Sequence, residues 1–264
     1  MSPPAPGAAA PHRHGVRTVG IAQPLRWLAL GWLDLLRCPL PGLLHGLLAA
    51  AFGVLLMGLA RDRFWLLAGA FSGFLLVAPV LATGLYAVSR ALQKGEPAGL
   101  ATALGAWGPH NGRLVLFGVL LAFAGTGWVL TSASLITRFA DAPVHNPQDF
   151  LRVVVLSAHG HLFEMWLLLG SALAAPIFAS TVVAVPLLMD RDIGVRAAVL
   201  LSVRAALLNP LPMAVWATLI LVITLLGMAT LLVGMVVAVP WLAHASWHAY
   251  RDLVGPVATA EGRA

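Results

Sequence analysis

Charge is what this chain lacks most: only 10% of its 264 residues are Asp, Glu, Lys or Arg, against about 25% in a soluble domain. With 60% of the residues hydrophobic, there is too little polar surface to cover the apolar remainder in water, and a soluble globular protein is excluded. Cysteine is scarcer still. Cys38 is alone, which removes a disulfide framework and any cysteine-based zinc motif, and its place beside Pro39 suggests a structural role. Lys94 is the single lysine among 16 bases. The net charge of +6 is spread between apolar segments, so nucleic acid is not an expected partner and the bases read as topology signals. Also missing are a P-loop, a dinucleotide fingerprint after a strand, a nucleophile elbow and paired carboxylates within an apolar run. The chain therefore leans away from an enzyme.

What is present is a series of long apolar runs. About 20 residues cross the hydrocarbon core, and residues 41–60, 64–88, 113–137 and 162–189 each suffice. The stretch 211–250 would be about 60 Å long as one helix, roughly twice the core. It reads as two spans with a turn at Gly227 to Thr230, giving six. With both termini inside, Arg13, Arg17, Arg26, Arg37, Arg90, Lys94, Arg113, Arg191, Arg196, Arg204, Arg251 and Arg263 are cytoplasmic. Arg61, Arg63, Arg138 and Arg152 are outside, and twelve against four fixes an N-in, C-in orientation.

Three segments resemble one another: VAPVLATGLYAVSR (77–90), VAVPLLMDRD (183–192) and VAVPWLAHASWHAYRD (237–252). Each ends an even-numbered span and carries a proline, Pro79, Pro186 or Pro240. The odd spans are entered through proline corners, RCPLPG (37–42), GPHNGR (108–113) and LNPLPM (208–213), each after a half-apolar stretch. In the first stretch Arg26, Asp34 and Arg37 fall within about 80° of a helical wheel, as in a helix lying in the interface with its charges toward water.

The expected fold is thus an all-α membrane protein with six transmembrane helices in three pseudo-repeated hairpins, each preceded by an interfacial amphipathic helix. The repeats run from about 25–96, 97–192 and 193–254, within a membrane domain of 23–254. Residues 1–22 read as a disordered cytoplasmic tail and 255–264 as a short C-terminal one. Parallel repeats of this kind are related by an axis along the membrane normal.

The segments SGFLLVAPVLATGLYAVSR, PLLMDRDIGVRAAVLLSVRAALLNPLPMAVWA and HASWHAYRDLV resemble the bacterial integral-membrane family known as domain of unknown function 2189. The resemblance runs from about Gln23 to Val254. It implies a multi-pass protein of the bacterial inner membrane, non-enzymatic, and supplies no catalytic residues.

Three groups of residues are candidate sites. On the last helix Trp241, His244, His248 and Asp252 share one face, with Arg251 at the headgroup level. His248 then lies about 5 Å and His244 about 10 Å into the apolar layer, where an ionisable group suggests function. His45, at similar depth, could join them as a third metal ligand or as part of a proton site, since a closed metal centre needs more than two. No carboxylate but Asp190 is expected at that depth, and Trp247 and Tyr250 read as an aromatic belt. Second, Thr83, Asp190 and His244 each stand four residues after a kink proline, and could form a polar ring near the cytoplasmic mouth. Third, the external insertion, about 138–161, gathers His145, His159, His161 and Glu164. There NPQDFL should start a short helix, and the spacing matches no zinc motif. Gly42-x3-Gly46 and Gly69-x3-Gly73 are small-residue faces for close helix packing.

Three functions fit. The first is a structural or assembly partner, with the bilayer and other membrane proteins or a second copy as its partners. The second is a small-solute or proton-coupled transporter or channel with a polar vestibule. The third is a redox accessory holding a metal or haem on His45, His244 and His248. No cofactor is required by the first two.

Overall fold

A computed structural model describes residues 15–59, 81–106, 112–157 and 161–255. Among them the chain is helical, with one isolated antiparallel bridge, Val16 to Val254, tying the two ends together. Pro79, His159, Arg61, Arg63 and the Gly69-x3-Gly73 face lie outside the described residues, as does most of the apolar run 64–88.

The first helix, α1 (Gln23–Arg37), stops at Cys38, and α2 (Pro39–Leu59) starts at once. Pro39 lacks the N–H that would continue α1 and is tolerated in the first turn of a new helix. Then follow α3 (Thr83–Lys94), closed by Gly95 at φ +69°, the short α4 (Leu100–Gly105) and the long α5 (Gly112–Phe139). The insertion holds α6 (Pro147–Phe150), which runs into a π-helical turn at Leu151–Val155. Asn146 Oδ1 accepts the Asp149 N–H at 2.8 Å, so the helix expected at NPQDFL is there and is capped by its own asparagine.

Next, α7 (Leu162–Thr181) and α8 (Ala184–Asp190) are two pieces of one apolar rod, interrupted at Val182 and Val183. The break is sealed from the side. Ser202, buried on α9 (Val195–Leu208), takes the Val183 N–H at 3.0 Å and donates to the Ala179 carbonyl at 2.7 Å. The Val183 N–H and the Ala179 carbonyl, two groups that the interruption parts, are thereby satisfied, as burial demands. The next helix, α10 (Pro210–Ala229), follows α9 through Asn209. The corners at Cys38 (φ −138°, ψ 70°) and Asn209 (φ −130°, ψ 51°) share one backbone conformation.

The turn expected at Gly227 to Thr230 lies slightly later. Helix α10 continues through Ala229, and residues 230–234 reverse the chain into α11 (Met235–Leu253). Leu231 and Leu232 sit at φ 52° and 68°, left-handed conformations that cost a non-glycine residue roughly 1–2 kcal/mol. The Thr230 hydroxyl holds the turn by accepting the Gly234 N–H at 2.7 Å.

Among the described residues, four helical segments are long and apolar enough to cross a membrane: Pro39–Gly58, Gly112–Phe139, Leu162–Asp190 and Pro210–Ala229. Their exposed leucines and phenylalanines, such as Leu48, Phe123, Leu168 and Leu226, are what lipid contact requires. Polar side chains interrupt α11, and it is buried instead. It is the hub of the fold, with α1 on one side and α2 on the other forming its closest packing.

Helix α2 presents Gly42, Gly46 and Gly53 to α11: a methyl added at these positions would meet Pro240, Val236 and Leu232. Helix α1 presents Pro24, Trp27, Leu28, Gly31, Asp34 and Leu35, a single stripe at helical spacing. Its other face, Leu25, Trp32, Leu33 and Leu36, is exposed. The amphipathic reading of α1 therefore needs one correction. Asp34 belongs to the buried stripe, with 4% of its surface exposed, while Arg26 and Arg37 remain outside.

Candidate functional site

The polar residues of α11 are spent on its neighbours. Trp241 donates its indole N–H to the Leu28 carbonyl at 2.7 Å, and Asp252 accepts from the Gln23 amide at 2.5 Å and the Trp27 indole at 2.7 Å. Between them, His248 Nε2 meets Asp34 Oδ2 at 2.8 Å. Three members of the expected Trp241–His244–His248–Asp252 stripe thus face α1. The fourth, His244, turns to α3, where its Nδ1 is 2.7 Å from the Ser89 hydroxyl. A carboxylate at histidine depth was not expected besides Asp190, and Asp34 is that carboxylate. A helical wheel places it with Arg26 and Arg37, but the packing of α11 pulls it inward.

Trp247 and Tyr250 are not an aromatic belt. Both are fully buried. Trp247 donates to Gln93 Oε1 at 3.3 Å, and the Tyr250 hydroxyl donates to Asp190 Oδ2 at 2.7 Å. Helix α3 and the end of α8 cover the side of α11 that a lone terminal helix would show to headgroups.

His244 is completely buried, and its Nε2 has no hydrogen-bond partner among the described residues. That atom lies near Gly42, where an added methyl would stand 3.7 Å away. The ionisable groups close enough to act on His244 electrostatically are Asp34, His45 and His248. The structure therefore gathers the three histidines between α2, α3 and α11, with each already committed at one ring nitrogen. His45 Nδ1 is held by the Pro41 carbonyl at 2.7 Å. Among the described residues, no three His, Cys, Asp or Glu side chains are disposed to hold one metal ion.

Of the proposed ring, Thr83 is fully buried at the start of α3. Asp190 and His244 have different partners, Tyr250 and Ser89. Arg90, Arg191 and Arg251 surround Asp190 at 3.6, 3.9 and 3.9 Å. Pro186 and Pro240 lie within α8 and α11.

In the insertion, His161 and Glu164 stand 3.9 Å apart with both side chains exposed, and such a pair contributes little. His145 takes part through its backbone, donating to Asp149.

The site also includes residues that carried no sequence signal. Asn209 is 2% exposed; it accepts the Val19 N–H at 2.8 Å and donates to the carbonyls of Arg17 and Ala205 at 3.0 and 2.9 Å. It straps the segment before α1 across the bundle end.

Residues 66–190 match the model of a family described as predicted integral membrane protein (DUF2189). The match is narrower than the Gln23–Val254 resemblance: it includes Ser89, Arg90 and Asp190 and leaves out α1, α2 and α11. No curated protein and no solved structure matches the chain.

Proposed function

We propose that this integral membrane protein is a structural or assembly partner in the bacterial inner membrane, crossing it six times with both termini in the cytoplasm. The reading rests on how the polar residues are used. Three carboxylates and a histidine, Asp34, Asp252, Asp190 and His248, are bonded to this chain's own side chains. Groups so engaged brace helices; a transport path needs groups that exchange partners with a substrate. The six-span topology adds residues 64–88 and α11 to the four apolar helices, and the arginine distribution orients it. The matching corners at Cys38 and Asn209 support the repeated unit.

A second reading, a proton-coupled transporter with Thr83, Asp190 and His244 at its inner mouth, is favoured by one observation. His244 Nε2 is buried with no partner among the described residues, as a proton-accepting site would be. One preparation separates the two. Reconstituted in vesicles loaded with a pH-sensitive dye, the protein should pass no more protons than empty vesicles. Extracted gently from its native membrane, it should run as a defined assembly larger than its own chain. A monomer that conducts, and stops conducting as His244→Phe, overturns the proposal. Stoichiometric metal or a haem spectrum in that preparation would instead favour the redox accessory built on His45, His244 and His248.

Topology is testable by thiol labelling without removing Cys38. That residue is buried against Val88 and Ala103, with Sγ 3.6 Å from the Ala98 carbonyl, and burial pushes its thiol pKa up. It should stay unlabelled by maleimide at neutral pH until the protein unfolds. Cysteines introduced at Arg61 and Lys94 should then react from opposite sides of the membrane; reaction from one side contradicts six spans.

A further inference from the structure

Three arginines at the bundle end crowd one carboxylate. Arg90 on α3, Arg191 after α8 and Arg251 on α11 all approach Asp190, and none closes on it. Their distances of 3.6 to 3.9 Å are well beyond the 2.7–2.9 Å of a charge-assisted hydrogen bond. The short bond to Asp190 Oδ2 comes from Tyr250, at 2.7 Å. Arg191 is directed further along, donating to the Gly255 carbonyl at 2.8 Å and lying 5.9 Å from the Tyr250 ring centre. Arg17, on the strap before α1, brings a fourth guanidinium against Gly255, where an added methyl would meet its Nε at 2.9 Å. Asp252, next to Arg251, is occupied by Gln23 and Trp27, and Asp192, next to Arg191, pairs with Arg113.

Three guanidiniums thus meet around one carboxylate, and a fourth, from Arg17, stands beside Gly255, where Arg191 donates. Like charges converge there at a cost, and an anion seated among them would offset it. Arg90 and Arg251 both have 37% of their side chains exposed, so an incoming group can reach them. Each guanidinium has five N–H donors in a planar fork, the shape that grips a phosphate. Arg251 is also held from behind, stacked 6.0 Å from the centre of the buried Trp247 ring. The surroundings favour a lipid over a soluble ion. The same end of the bundle is edged by α1, whose exposed Leu25, Trp32, Leu33 and Leu36 offer an apolar surface for acyl chains. Basic pockets between membrane helices take anionic headgroups on these terms.

We infer that Arg90 and Arg251, with Arg17 and Arg191 behind them, form a binding site for the phosphate of an anionic phospholipid headgroup. The inference needs only that this end of the bundle meets a bilayer surface, and it holds whether the protein is a scaffold or a transporter.

The test is thermal unfolding of the purified protein in a neutral detergent. Adding phosphatidylglycerol should raise the midpoint by about 5 °C, while phosphatidylcholine or inorganic phosphate leaves it unchanged. Arg90→Gln with Arg251→Gln should lose at least half of that rise. An equal rise with phosphatidylcholine, an equal rise with inorganic phosphate, or a full rise in the double variant overturns the site. Mapping a photoactivatable phosphatidylglycerol on the wild type needs no variant. Crosslinks at the ends of α3 and α11 support the assignment, and crosslinks confined to other helices overturn it.

Discussion

Replacing Asp34 with alanine is expected to destabilise the folded protein by about 3 kcal/mol, the upper end of the cost of leaving a buried hydrogen-bonding group without its partner. Burial decides the size. An exposed pair would contribute about 0–1 kcal/mol, but Asp34 and His248 are 4% and 8% exposed, so losing either strands the other away from water. Asp34→Asn keeps an acceptor for His248 and should cost less. Asp34→Leu with His248→Leu removes both polar groups and should fall within about 1 kcal/mol of the wild type. The measurement is equilibrium unfolding in mixed micelles on Asp34→Ala, His248→Ala and the double alanine variant, with the leucine pair beside them. If the alanine effects simply add, the pair is not coupled and the argument fails. The damage should also be local. The first half of α1 is still fastened by Gln23 and Trp27 to Asp252, so hydrogen exchange should rise around Asp34 and Arg37 more than around Trp27.

Which parts of this arrangement were legible in the sequence follows from the range of the forces involved. The apolar runs, the proline corners at Cys38 and Asn209 and the short helix at Pro147 are local, set by composition, a missing N–H or a neighbouring cap. The glycine face Gly42-x3-Gly46 was readable as small residues at helical spacing, although not which helix would meet it. Asp34 was misread because a wheel shows which residues share a face, not which face is covered. Its partner lies 214 positions away. Trp247 and Tyr250 were misread for the same reason, since the helix end that buries them belongs to distant sequence. The last turn slipped past the glycine at 227 because leucines 231 and 232 carry the left-handed backbone, and leucine does not advertise such a conformation. His244 was legible as a special position, and Ser89 as its partner was not.

Gly46→Ala tests the deepest packing contact and should cost about 3 kcal/mol, the upper end of the usual range for overpacking. An added methyl would overlap the Val236 carbonyl oxygen and stand 2.6 and 2.7 Å from its carbonyl and α carbons. These are backbone atoms, so no rotamer change relieves the clash and the two helices must separate. The carbonyl is a specific one. Pro240 has no N–H, so the oxygen four residues earlier loses its usual helical donor, and that oxygen is Val236's. Gly46 lets α2 come close enough to cover it. Other glycines of α2 provide the scale. At Gly53 the nearest atom is a terminal carbon of Leu232, 2.6 Å away, and the flexible leucine can turn aside, so alanine there should cost about 1 kcal/mol. At Gly58 no described residue lies within 4 Å, and alanine should be neutral or stabilise the helix by up to about 1 kcal/mol. Unfolding of the three variants should therefore rank Gly46 worst, Gly53 next and Gly58 at or above the wild type. A cost at Gly58 equal to that at Gly46 would mean that helix packing against α11 does not set the order.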